Sequence, residues 1–100
     1  GVNTAYDALV AELAKKGGGD KINGIVGFND TQRFFLNYAR IWRDKQRPEA
    51  AITQLAADPH SPPALRINGV VPNVAPFAAD FGCLAGDPMV NPPDKFVKIW

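Results

Sequence analysis

The chain is poor in the side chains from which most catalytic centres are assembled. Its 100 residues hold one histidine, one cysteine and one methionine, and the only glutamates are Glu12 and Glu49. A lone thiol, Cys83, cannot close an internal disulfide or supply a cysteine-based zinc site. It reads as a buried structural thiol. A hydrolytic zinc site takes about three protein ligands and keeps a fourth position open, which one histidine and two scattered glutamates do not provide. An excess of one charge is missing as well. Eleven basic residues face ten acidic ones, leaving a net charge of +1. That balance argues against an electrostatic footprint for nucleic acid or anionic lipid. No run is long and apolar enough to span a bilayer. Neither an initiator methionine nor a signal peptide precedes the first helical pattern, as expected for a piece excised from something longer.

What is present is the composition of a globular domain. Hydrophobic residues make up 46% and charged residues 21%. A chain of this size can bury roughly two-thirds of its unfolded surface, enough for one modest core. Val2, Tyr6, Leu9 and Leu13 recur at helical spacing, with Asn3 or Thr4 as the expected cap. Lys15 and Lys16 suit the negative end of that helix, and Gly17 to Gly19 stop it. The following loop carries Ile22, Ile25, Val26 and Phe28, and is apolar enough to be expected to pack down.

The segment NDTQRFFLNYARIWRDKQ is the richest in hydrophobic side chains. Asn29 or Asp30 caps it. Phe34, Tyr38 and Ile41 form one stripe and Phe35, Ala39 and Trp42 the next, which predicts a helix buried over a wide arc. Pro48 opens a short helix, PEAAITQLAA, and Pro59 forbids its continuation. Beyond it, Leu65 to Val71 reads as extended around an Asn68-Gly69 turn, and Asn73 as the cap of a last short helix, VAPFAADFG, ended by Gly82. Residues 83–100 carry Gly86, Pro88, Pro92 and Pro93 and read as an irregular tail. The fold class is therefore mainly α.

One stretch, DPHSPPALR at 58–66, concentrates the available chemistry. It holds the only histidine, His60, between Asp58 and Arg66. Prolines restrict the loop and fix where the imidazole points. A carboxylate two residues away can hold one ring nitrogen and favour the charged form. An arginine can donate several hydrogen bonds to a carbonyl or carboxylate. Together they would form an electrophilic clamp that stabilises negative charge. The plainer alternative is a surface loop in which Asp58 pairs with Arg66. A triad of Ser61, His60 and Asp58 is disfavoured, because sequence neighbours do not converge easily in that geometry. The glycines at 17–19 lack the lysine and hydroxyl of a phosphate-binding loop.

The segments QRFFLNYARIWR (32–43), DPHSPPALRINGVVPN (58–73) and FAADFGC (77–83), with Met89 and the terminal Trp100, resemble the C-terminal end of the neprilysin and endothelin-converting-enzyme family of zinc metallopeptidases. The resemblance implies a helical, C-terminal portion of a zincin-like (thermolysin-like) catalytic domain across residues 1–100. Neither an H-E-x-x-H nor an E-x-x-x-D motif occurs, so the resemblance places the zinc ligands upstream of Gly1. It implies that this segment binds no metal and is inactive by itself. Carried over position by position, His60 resembles the histidine that stabilises the oxyanion, Asp58 the acid that orients it, and Arg66 the arginine that binds a substrate main-chain carbonyl. The implied partners are a peptide substrate and the rest of the catalytic domain, with self-association expected of an isolated segment that leaves apolar faces uncovered. Animal members carry a cysteine just after the equivalent of Trp42 and another near the C-terminus. Arg43 and other residues stand there, which implies a bacterial-type member. The resemblance favours a periplasmic or extracellular location and leaves a cytoplasmic one open. From a different class, a stand-alone helical interaction module remains the alternative reading.

Overall fold

The computed structural model describes residues 1–17 and 27–98. Among the described residues, five α-helices and one 3-10 turn follow in order: α1 Val2–Lys16, α2 Asp30–Ile41, α3 Pro48–Ala57, α4 Pro63–Asn68, the 3-10 turn Val71–Asn73, and α5 Ala75–Phe81. No strand occurs among the described residues. The described residues after α5, 82–98, run as turns and irregular backbone. Ile22, Ile25 and Val26, expected to pack down, lie outside the described residues, and Phe28 beside them is 40% exposed.

The core is an aromatic cluster where α1, α2 and α5 meet. Phe35 of α2 is almost fully buried. Its ring stacks on Tyr6 of α1 at 5.4 Å and meets Phe77 of α5 edge-on at 5.3 Å. Phe34 and Phe81 complete the cluster, with centroids 5.2 and 6.4 Å from Phe35. Edge-on and offset arrangements suit the ring quadrupoles and add to the gain from burial. Among the described residues, Val71 and Val74 are also buried, each 4% exposed. They hold the 3-10 turn against the start of α5.

Polar contacts at the helix ends fix how these helices are joined. Asn29 and Gln32 form a reciprocal capping box: the Gln32 N–H donates to Asn29 Oδ1 at 2.8 Å, and the Asn29 N–H donates to Gln32 Oε1 at 3.0 Å. The same Gln32 amide donates from Nε2 to the Asp80 carbonyl at 2.7 Å, tying the start of α2 to the end of α5. Tyr6 donates its hydroxyl to the Asp80 carboxylate at 3.1 Å, tying α1 to the same place. Within α2, the Arg33 guanidinium pairs with Asp30 one turn back. Gly82 closes α5 in the left-handed region (φ 63°), with its N–H on the Ala79 carbonyl and that of Cys83 on Ala78, a Schellman end. Cys83 is a free thiol and only half-buried, so it contributes less to the core than expected.

Four local expectations are corrected. Residues 65–71 are not extended. Pro62 and Pro63 start α4, since a proline in the first turn gives up an N–H that the helix does not use, and Asn68-Gly69 ends that helix. Asn73 does not cap α5, whose first flanking residue is Val74. Its amide is engaged elsewhere: Nδ2 donates to the Gly69 carbonyl, while Oδ1 accepts from Asn91 Nδ2 and the Val97 N–H. The cap position of α1 is Gly1, and neither Asn3 nor Thr4 fills it. Finally, the buried arc of α2 is narrower than its two stripes suggest, because Ile41 at the last turn is 74% exposed.

Candidate functional site

The loop between α3 and α4 carries Asp58, His60 and Ser61, and α4 carries Arg66. Helix α3 ends at Ala57 because Pro59 follows Asp58, and a residue before proline is pushed out of the helical region. Asp58 accordingly adopts extended angles (φ −94°, ψ 123°). Its side chain then folds forward. Oδ1 accepts the His60 main-chain N–H at 2.9 Å, an Asx turn, and meets the His60 ring at Nδ1 at 2.8 Å. One carboxylate oxygen thus holds both the main chain and the ring of the same histidine.

The electrostatics follow from those contacts. Hydrogen bonds from the His60 main chain and then its ring hold the Asp58 carboxyl below the usual carboxylate range. The group is an anion at neutral pH, so the nitrogen facing it carries a proton. Nε2 is left on the outer side of a ring whose side chain is 70% exposed. An imidazole held this way donates from Nε2 when it carries both protons. The arrangement offers a pre-aimed donor to an incoming negative oxygen.

Arg66 is held on three sides. Its Nε donates to the Ser61 carbonyl at 2.9 Å, the residue directly after His60. Its guanidinium carbon lies 4.5 Å from the centroid of the Trp42 ring, a cation–π distance. Its main-chain carbonyl accepts the Tyr38 hydroxyl at 2.8 Å. The guanidinium has no ion pair among the described residues. The expected pairing of Asp58 with Arg66 is therefore not formed: Asp58 is engaged by His60, and Arg66 by a carbonyl and an aromatic face. The Ser61 carbonyl links the two halves of the site, because it belongs to the same short loop that positions the imidazole.

Tyr38, Trp42 and the Ser61 carbonyl were not singled out by their sequence. Tyr38 lies in α2 and Trp42, four residues on, is the C-cap residue of that helix, a spacing that puts two side chains on one side. Both were read as core aromatics. The signal that could have separated them is the polar handle each carries, which tends to find a partner when it is partly buried. Burial pushes the Tyr38 phenol above its ordinary value and so keeps it a donor. A shallow recess lined by Gln54, Ala57, Pro59 and His60 lies beside the imidazole, on the α3 side. Among the described residues no group of three His, Cys, Asp or Glu side chains could hold a metal ion. No helix among them is long and apolar enough to cross a membrane.

Comparison with known proteins adds a family. The profile of peptidase family M13 matches residues 1–97. Human membrane metallo-endopeptidase-like 1 is 37% identical over 100 residues, human endothelin-converting enzyme 1 is 36% identical, and mouse neprilysin is 36% identical. Each alignment covers the whole of this chain but only 12 to 13% of the relative. The crystal structure of the Mycobacterium tuberculosis zinc metalloprotease Zmp1 with an inhibitor superposes with a TM-score of 0.82 at 39% identity, over 99% of this chain and 14% of that one. The open state of the same protein, solved by electron cryo-microscopy, gives 0.81 at the same identity. The chain thus spans about one-eighth of the length of these curated relatives, and its structural neighbour is bacterial.

Proposed function

This chain belongs to peptidase family M13, and on that premise we propose that it is the C-terminal portion of the catalytic domain of a zinc-dependent endopeptidase, supplying oxyanion stabilisation and substrate main-chain binding. The observation that carries the reading is the double grip of Asp58 Oδ1 on His60, at 2.9 Å to the main chain and 2.8 Å to the ring. It fixes the imidazole so that Nε2 is the free ring nitrogen, a donor when the ring carries both protons. When a peptide carbonyl becomes tetrahedral, its oxygen gains negative charge, and a donor already in place is worth more there than in the ground state. Arg66 has the complementary task. Its guanidinium, steadied by Trp42 and by the Ser61 carbonyl, presents terminal N–H groups to a substrate carbonyl and so sets the register of the peptide.

Among the described residues no three His, Cys, Asp or Glu side chains gather where they could hold a metal ion. In this reading the zinc is held by other residues of the whole enzyme, and the segment alone does not hydrolyse peptides. A periplasmic or extracellular location for the whole enzyme goes with the family resemblance, and one human relative is named a membrane metallo-endopeptidase-like protein.

The test is His60→Ala in the intact enzyme that carries this chain. Loss of one oxyanion donor lowers kcat by about a hundred- to a thousandfold. Zinc content, measured by elemental analysis, stays at the wild-type value. Wild-type kcat in the variant sinks the assignment. A variant that also loses its zinc would give His60 a structural role instead.

A further inference from the structure

The best-anchored residue near the site is Arg66, and part of its anchoring comes from an atom the proposed chemistry does not use. Helix α4 has only six residues, and a helix leaves its last carbonyls without partners inside it. Two of these find main-chain donors: Gly69 N–H reaches the Leu65 carbonyl at 2.9 Å, and Val70 N–H reaches that of Ile67 at 3.1 Å. The Arg66 carbonyl lies between them and takes a side chain, the Tyr38 hydroxyl, at 2.8 Å. Tyr38 is on α2, which the aromatic core fixes through Phe34 and Phe35. Directly after that helix ends at Ile41, its C-cap residue Trp42 lies against the Arg66 guanidinium. Helix α2 and the residue that ends it therefore hold Arg66 at both ends, by its main-chain carbonyl and by its cationic head.

We propose that Tyr38 is a positioning residue for substrate binding: its hydroxyl locks the main chain of Arg66 so that the guanidinium is already aimed before a peptide arrives. The proposal rests on the reading of Arg66 as the substrate main-chain donor, and it adds a residue that touches neither substrate nor reacting atoms. The physical reason is preorganisation. An arginine has a long side chain with large rotamer freedom. Freezing it at the moment of binding weakens binding, whereas a helix end already fixed in place avoids that loss. The Tyr38 bond acts at the root of the side chain, where a small rotation of the backbone moves the guanidinium furthest. The Ser61 bond and the Trp42 ring act near its tip and cannot correct a displaced root.

The test is a double-mutant cycle in the intact enzyme with Tyr38→Phe and Arg66→Ala. The phenyl ring keeps the packing and removes only the hydroxyl. Tyr38→Phe is expected to raise KM about two- to tenfold, the worth of a single neutral hydrogen bond, with kcat within about twofold of wild type. In the Arg66→Ala background the same change is expected to raise KM no further, because the group it positions is gone. An unchanged KM in Tyr38→Phe, where Arg66→Ala does raise it, overturns the positioning role and leaves the reading of Arg66 intact. An equal rise in both backgrounds also overturns it, since Tyr38 then acts by another route. An unchanged KM in Arg66→Ala sinks the underlying reading and the proposal with it.

Discussion

Replacing Asp58 separates the two tasks of its carboxylate. The side chain accepts the His60 main-chain N–H, which shapes the loop, and it faces Nδ1, which sets the protonation and aim of the ring. Asparagine keeps an oxygen in the same place. Asp58→Asn therefore retains the Asx turn and a neutral contact to the ring, and loses only the negative charge. Asp58→Ala loses all of it. Because Asp58 acts through His60, its removal cannot cost more than removal of the imidazole itself, about two to three powers of ten in kcat. Charge-assisted hydrogen bonds are about twice as strong as neutral ones. Asp58→Asn should thus lose roughly half the logarithm, about ten- to thirtyfold in kcat. Asp58→Ala should fall between that value and His60→Ala. KM should change little in all three, since the group acts on charge that develops in the transition state. Steady-state hydrolysis of one peptide by the three variants of the intact enzyme, at one pH and matched zinc content, gives the ranking. Two results would refute the reasoning: a loss in Asp58→Ala larger than in His60→Ala, or Asp58→Asn equal to wild type. The carboxyl is held below its usual range, so its part of the activity is present above that range. It is lost only as pH falls through the depressed value.

Two further predictions concern the fold. Phe35→Ala empties the centre of the aromatic cluster, where the ring is 4% exposed, and should destabilise the chain by about 3–5 kcal/mol in urea unfolding, whereas Ile41→Ala at a 74% exposed position should stay within about 0.5 kcal/mol; similar midpoints for the two variants would contradict this location of the core. Tyr6 has its phenol raised, first by burial and then by its bond to Asp80. The corresponding stability is fully present below about pH 10 and declines as pH rises through the raised folded value. Tyr6→Phe should flatten that alkaline decline in thermal melts, and an identical slope in the two proteins would show that Tyr6 does not contribute to it.

Parts of the fold were legible in the sequence because their signals are local. Prolines at 48 and 59 bracket α3, Asn29 or Asp30 is the expected cap of α2 and Asn29 takes that place, and Gly17 and Gly82 end α1 and α5 in the left-handed region. The errors arose where a local signal had a tertiary competitor. Asn68-Gly69 is a turn signal, but Pro62 and Pro63 made it the end of a helix. Asn73 has the composition of a cap, but its amide is taken by Gly69, Asn91 and Val97. In the candidate site, the pairing of Asp58 with His60 could be anticipated, because the two are neighbours in a stiffened loop. The grip on Arg66 could not, since Tyr38 and Trp42 precede it by 28 and 24 residues. Nothing in an aromatic stripe says which hydroxyl will meet which carbonyl.

Asn73 shows how unevenly such a chain can distribute its tolerance of change. Three attachments converge on one side-chain amide, and two of its three partners are main-chain atoms, the Gly69 carbonyl and the Val97 N–H. Any residue but proline at 97 keeps that N–H, whereas at 69 a Cβ would come within 2.7 Å of the Leu65 carbonyl oxygen, so glycine suits the place. The side-chain chemistry of the junction is written mainly at position 73. Aspartate would match the shape but turn the donor toward Gly69 into a second acceptor. Leucine would fill the space and supply neither group. Glutamine would carry both groups one methylene too far. In a library covering every substitution of this chain, the tail beyond Gly86 should accept many sequences, while the residue that fastens it should accept almost none.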